Sequence, residues 1–153
     1  MKIVLDGGIM PTRAHPWDAG LDLYTPVDVT VPGCSIRGWV KDKMLYGEAE
    51  VGSAVIDTLV RMEIPEGFVG FIKSKSGLNV KHGLTTDSGV IDCHYTGTIR
   101  VKIYNNTRKE YQFKAGDKIA QLVILPCARP HLEVAERLLE TDRGENGFGS
   151  TGR

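Results

Sequence analysis

The feature that most constrains this chain is its punctuation. Short runs rich in β-branched residues, each ended by glycine, proline or asparagine, recur at spacings of about 8 to 12 residues. Val27-Asp28-Val29-Thr30-Val31 alternates with a period of two, so its three valines share a face, and Pro32-Gly33 ends it. Ile99-Arg100-Val101-Lys102-Ile103-Tyr104 alternates strictly, apolar on one face and basic or aromatic on the other, before Asn105-Asn106-Thr107 turns it. Residues 2–5, 21–24, 68–72 and 111–113 read as further strands. Residues 54–64 form a β-branched run up to Pro65-Glu66-Gly67, and residues 119–125 are the near-continuous apolar run expected of a strand buried on both faces. The one helical candidate, residues 134–139, is too short to organise anything. Many short strands and almost no helix predict an all-β fold, a sandwich or barrel in a single domain.

Three segments do not follow that beat. Residues 10–18 hold Pro11 and Pro16 and read as a loop. Residues 38–53 carry several charges and three glycines without a clean period, which suggests a long hairpin or a surface excursion. Residues 141–153 are glycine-rich, with no aliphatic residue and one aromatic. They cannot contribute to a core, so the chain divides into a β domain, residues 1–140, and a flexible arm, residues 141–153.

Lys plus Arg and Asp plus Glu both number 19, giving zero formal charge. A bulk electrostatic grip on nucleic acid or an anionic membrane is thereby disfavoured, and phosphate binding has to come from a local cluster. Cys34, Cys93 and Cys127 are odd in number and lack metal-site spacing, as expected of reduced thiols in the cytoplasm. No apolar run approaches the roughly 18 residues of a membrane span, and the start, Met1-Lys2-Ile3-Val4-Leu5-Asp6, lacks a signal-peptide pattern.

The most unusual stretch is Gly89-Val90-Ile91-Asp92-Cys93-His94-Tyr95-Thr96-Gly97. Two β-formers run into an acid, an aromatic follows, and glycines at both ends permit shapes that side chains block. It predicts a hairpin bent back on itself, with backbone groups, the Asp92 carboxylate and the Tyr95 ring around a space for a planar base and a sugar. The bland alternative is a turn with a surface acid and a packed tyrosine. Arg143-Gly144-Glu145-Asn146-Gly147-Phe148-Gly149-Ser150-Thr151-Gly152 offers a cation, hydroxyls and glycine backbone suited to phosphates, or else is a disordered end. Ser74-Lys75-Ser76-Gly77-Leu78 has similar parts after a strand, although such clusters are usually solvated turns. Asp22 in Ala19-Gly20-Leu21-Asp22-Leu23 suits the water ligands of a magnesium ion, or equally a cap or an ion pair. Gln121, after the Gly116-Asp117-Lys118 turn, is an amide in a buried strand that needs partners, most commonly structural ones.

In this order and spacing the five stretches resemble the motifs of the trimeric dUTPase family, over nearly the whole chain. The resemblance implies a jelly-roll fold, a homotrimer with three sites at subunit interfaces, and Mg2+-dependent hydrolysis of dUTP to dUMP and pyrophosphate. It also implies roles. Gly89, Val90, Ile91 and Asp92 read uracil through the backbone, and Tyr95 lies against the deoxyribose. Asp92 is the general base for water attack on the α-phosphorus, with Gln121 placing the water or an α-phosphate oxygen. Ser76 and Gly77 bind phosphates, Asp22 supports the magnesium's water shell, and Arg143, Gly149, Ser150 and Thr151 hold the outer phosphates while Phe148 covers the uracil. Three departures stand out. Lys75 replaces the usual Arg, exchanging a planar fork for a point charge. Asn146 replaces a glycine but tolerates left-handed backbone, and residues 38–53 exceed the usual turn.

Two rivals remain open at this point. A dCTP deaminase, or a bifunctional enzyme, shares the fold and a similar third motif, but Lys102 stands where the proton-shuttling Glu would be, and a cation cannot take a proton from water. The other is a non-catalytic dUTP-binding regulator, against which the presence of Asp92, Tyr95, Gln121 and the arm argues.

Overall fold

The structure, a computed structural model, describes residues 1–41 and 44–145. Along the chain run β1 (Ile3–Leu5), β2 (Gly20–Tyr24), β3 (Val29–Val31), β4 (Ser35–Lys41), β5 (Met44–Glu50), β6 (Gly52–Asp57), β7 (Val60–Met62) and β8 (Phe68–Lys73). After them come α1 (Ser76–His82), β9 (Leu84–Thr86), β10 (Val90–Ile91), β11 (Arg100–Asn105), β12 (Tyr111–Phe113) and β13 (Lys118–Pro126). The expected all-β jelly roll is what forms, its sheets small and antiparallel. The largest has the order β10-β8-β13-β2, and a second has the order β6-β11-β9. Between them Leu23, Val31, Ile56, Leu84, Ile99, Val101, Ile103, Phe113, Ile119 and Leu122 are all but inaccessible to solvent. Each such side chain contributes about 1.5–3 kcal/mol on leaving water.

Alternation along β11 is as expected. Val101, Ile103 and Asn105 face inward, while Arg100, Lys102 and Tyr104 face out. Elsewhere the chain departs from expectation for identifiable reasons. Val27 lies outside β3 and is half exposed, because the Thr25 hydroxyl donates to its carbonyl at 2.6 Å and turns the backbone there. The run 54–64 is two strands in different sheets. At the break Leu59 has φ of 55°, its N–H donates to the Asp57 carboxylate at 2.9 Å, and the buried Thr58 hydroxyl donates to Ile99 O at 2.7 Å. Residues 38–53 do contain the hairpin, β4 paired with β5 as a separate two-stranded sheet, but it begins at Ser35 and its last two residues open β6.

β13 is not covered on both faces. Ile119, Ala120 and Leu122 are buried, whereas Val123 and Ile124 are partly accessible and Leu125 is exposed. The outer face of the four-stranded sheet therefore sets Val123, Phe71 and Val90 side by side, incompletely covered. The helical candidate at residues 134–139 is not helical, and Leu132, Val134, Leu138 and Leu139 stand almost fully exposed. A helix forms instead where a loop was expected, at Ser76–His82. It buries no residue, so no apolar stripe announces it, and Gly83 closes it in left-handed conformation with its N–H on Asn79 O. Among the described residues no helix is long and apolar enough to cross a membrane.

Candidate functional site

The expected site residues fall into two groups. The first sits at one end of the four-stranded sheet. Gln121 on β13 pairs with Asp22 on β2 and with Lys73 on β8, so the three are lateral neighbours. A β-carbon on Gly20 would lie 3.1 Å from the Cβ of Gln121 and 3.3 Å from its Cδ, so glycine there makes the room the carboxamide occupies. Lys75 leaves β8 and precedes α1, whose first residues are Ser76 and Gly77. Asp22 is buried, and its two oxygens are taken by ammonium groups, Oδ1 by Lys75 and Oδ2 by Lys118 at 2.7 Å. Burial alone would push this carboxyl up; hydrogen bonds from Lys118 and Lys75 outweigh it and hold the group below the usual carboxylate value. Lys118 went unnoticed in the sequence because a lysine in a turn is ordinarily solvated; only the fold reveals the buried acid it serves.

The second group is the turn after β10. Gly89 has φ of +79°, a value that favours glycine. Val90 and Ile91 pair with Phe71 and Gly70 of β8, while Ile99 donates its N–H to Val60 O. The stretch is thus not a hairpin closed on itself: β10 pairs with β8, and the residues after its turn lead instead to Ile99, which meets β7, and to β11, which pairs with β6 and β9. One consequence favours binding. Among the described residues β10 is an edge strand, its outer row of backbone N–H and C=O groups without a strand partner.

Asp92 is exposed and borders a cavity of about 390 Å³ shared with Phe71, Val90, Cys93, Cys127 and Arg129. Tyr95 N–H donates to Asp92 O at 3.1 Å, a tight turn, and the Tyr95 hydroxyl donates to Thr98 O at 3.0 Å. Thr98 in turn donates to Asp57 Oδ2 at 2.8 Å, and Asp57 also receives Arg100. Asp57 and Thr98 therefore brace the ring, a function hidden in the sequence because Asp57 is distant along the chain. Gly97 lies under that ring: a β-carbon there would come within 3.0 Å of Tyr95 Cε2.

The two groups do not meet within one chain. Asp92 lies two strands across from Gln121 and about four residues along, which at about 4.8 Å per strand and 3.4 Å per residue separates them by roughly 17 Å. Arg143 lies in the exposed turn at residues 142–145, and Phe148, Gly149, Ser150 and Thr151 fall outside the described residues. Lys102 holds its Nζ 4.9 Å from the Tyr104 ring centroid, with no acid in the place a deaminase would need one. Among the described residues no cluster of three His, Cys, Asp or Glu could hold a metal ion.

Fold and site define the class, an all-β jelly roll whose candidate site residues lie in two separate groups. A family profile for dUTPase matches residues 6–152, and the chain belongs to that family. The deoxyuridine 5'-triphosphate nucleotidohydrolase of Candida glabrata is 34% identical over 147 residues, 95% of this chain and 90% of the relative. Among solved structures, the Staphylococcus bacteriophage 80alpha dUTPase with dUPNHPP superposes with a TM-score of 0.82 at 29% identity, covering 99% of this chain and 98% of that one. A variant of the dUTPase from phage phi11 of S. aureus, described for its coordination of a structural Mg(II) ion, superposes with a TM-score of 0.73 at 29% identity, over 89% and 96% of the two chains.

Proposed function

We propose that this protein hydrolyses dUTP to dUMP and pyrophosphate in the cytoplasm, limiting uracil in DNA and supplying dUMP for thymidylate synthesis. The observation that carries the reading is the open edge of β10, ending in an exposed carboxylate beside an anchored ring, in a chain of this family. Backbone groups of Gly89, Val90 and Ile91 hydrogen-bond the uracil and leave no room for a 5-methyl group. Tyr95 lies against the deoxyribose and excludes a 2′-hydroxyl. Asp92 accepts the proton of a water whose oxygen attacks the α-phosphorus, the bond to the bridging oxygen breaks, and pyrophosphate leaves. A positioned carboxylate base contributes about 10²–10⁴-fold.

Gln121 orients the water or an α-phosphate oxygen, Ser76 and Gly77 hold phosphates, and Lys75 supplies positive charge from its pair with Asp22. That pairing qualifies the role of Asp22. With one lysine on each oxygen, it supports a magnesium water shell only through the remaining lone pairs, in competition with the ammoniums. Mg2+, when bound, neutralises charge on the triphosphate, as phosphoryl transfer requires. The arm brings Arg143, Gly149, Ser150 and Thr151 to the outer phosphates and Phe148 over the uracil, shutting out water.

The site is completed by further copies of the chain in a homotrimer. With backbones roughly 17 Å apart, Asp92 and Gln121 of one chain are poorly placed to share one α-phosphate, and residues of a second copy bring the two groups together. Leu132, Val134, Leu138 and Leu139, and the outer face of the four-stranded sheet, are apolar surface suited to burial against those copies.

The test is pyrophosphate release with Mg2+ from dUTP, dCTP, dTTP and UTP. Release from dUTP alone is expected. Ammonia from dCTP would replace hydrolysis with deamination, and tight dUTP binding without turnover would leave a regulator.

A further inference from the structure

Away from both groups of candidate site residues, the C-terminal end of α1 and the turn between β11 and β12 enclose a cavity of about 680 Å³, rimmed by Lys81, His82, Arg108 and Lys109 with Tyr111 beside them. Elsewhere in this chain of zero net charge Lys2, Arg61, Lys75, Arg100, Lys114, Lys118 and Arg129 each meet an acid. Lys81, Arg108 and Lys109 form none, although Glu110 lies on the same rim, where its carboxylate accepts Gln112 Nε2 at 3.1 Å. The helix dipole accounts for Lys81 and His82 in the last turn of α1. It does not account for Arg108 and Lys109, which come from another element and gather against like-charge repulsion.

The rim is also rigid. Asn105, fully buried, donates to Lys109 O at 2.8 Å and Val31 O at 3.4 Å, and accepts the Thr107 N–H at 3.0 Å and hydroxyl at 2.8 Å. Asn106 ties this turn to the helix end, its N–H on Gly83 O at 3.0 Å and its Nδ2 on Gly83 O at 3.1 Å. A buried amide with its partners satisfied fixes one local geometry. Here the backbone it fixes carries the exposed Arg108 and Lys109 next to Lys81 at the helix end. Tyr111 adds an aromatic wall, its ring 4.9 Å from that of His82 and 4.8 Å from that of Phe113. The volume lies within the range of about 300–1,000 Å³ for small-molecule sites.

We propose that this cavity binds a polyphosphate group, carried by a free nucleoside triphosphate or as an inorganic polyphosphate, independently of those two groups. The test titrates inorganic tripolyphosphate, and separately ATP, into the full-length protein and follows backbone amide NMR signals. Saturable shifts at Gly83, Thr107 and Tyr111 are expected, falling off with added salt. In the Arg108→Gln/Lys109→Gln double variant the apparent Kd from these signals should rise about tenfold, the effect of losing a charge-assisted contact. Lys114→Gln, whose ammonium faces Asp28 elsewhere, should leave it unchanged.

Equal binding of both ligands assigns the site to phosphate alone, and tighter ATP binding adds a stacked base; either supports the proposal. Shifts confined to the neighbourhood of Ser76 and Gln121, or an affinity at these amides that the double variant does not weaken, would overturn it. So would shifts here with a single-stranded oligonucleotide but with neither polyphosphate. Pyrophosphate release from dUTP by the double variant should match the parent's, which separates failure of this site from failure of the hydrolytic reading.

Discussion

Asp22→Asn preserves shape and removes one charge from the most buried ion cluster described. Asp22 is 5% exposed, and its side chain accepts Lys75 on one oxygen and Lys118 on the other. The variant strands both ammoniums, but unequally: the Lys118 side chain is 40% exposed and recovers water, while that of Lys75 is 21% exposed and does not. Breaking a buried pair by removing one partner costs about 3–5 kcal/mol, and the partial hydration of Lys118 places this case near the lower end, about 3 kcal/mol. In a domain of this size that lowers Tm by roughly 6–12 °C.

The sign with pH follows from the carboxyl titrating lower folded than unfolded. Its stabilisation is complete above the unfolded value of about 3.9 and is lost as pH falls through the folded one. Urea unfolding at fixed protein concentration, repeated from pH 7 downward, should show a gap between parent and variant that is flat above about pH 5 and narrows below about pH 4. Adding Lys75→Met to the variant should restore stability rather than subtract more. A variant within about 0.5 kcal/mol of the parent at pH 7, or a gap indifferent to acid, would refute the electrostatic account.

Asp92→Asn should bind dUTP normally and release pyrophosphate about 10²–10⁴-fold more slowly; near-normal turnover in a steady-state assay removes Asp92 as the base. Gly97→Ala should displace the Tyr95 ring and break its bond to Thr98 O, costing about 1 kcal/mol of stability. Its larger effect should be a rise in UTP turnover relative to dUTP, and unchanged selectivity between these substrates would contradict the sugar-stacking role. Deleting residues 141–153 should leave a folded oligomer by sedimentation with little hydrolysis, and full hydrolysis by that truncation would take the arm out of the reaction. Leu132→Ser with Leu138→Ser should weaken the oligomer, seen as dissociation on dilution; an assembly as tight as the parent's would place these leucines elsewhere.

Several elements were legible because their signal is local. Strict alternation in residues 99–104 predicted which side chains of β11 face the core, and glycine, proline and asparagine marked the turns. The family's motifs survive as residue types at fixed spacing, so the residues of the candidate site could be named before any geometry was known. What failed did so for want of non-local information. The run at residues 54–64 is as β-branched as one strand, yet Asp57 and Thr58 find partners at Leu59 and Ile99 that break it. α1 has no buried face, and a helix without one leaves no periodic trace.

The amino-acid sequence by itself determined the all-β class, the family and the identity of the chemical groups, because side-chain alternation, turn preference and motif composition are properties of neighbours in the chain. Tertiary structure alone decided the partners. It set β10 at an open edge rather than in a closed hairpin, seated Asp22 between two lysines, and braced Tyr95 through Thr98 and Asp57. It also set Asp92 and Gln121 on either side of β8, about four residues apart along the strands. Strand pairing and burial depend on residues far apart in the chain, and no local period encodes which distant segment will supply the neighbouring strand or the countercharge.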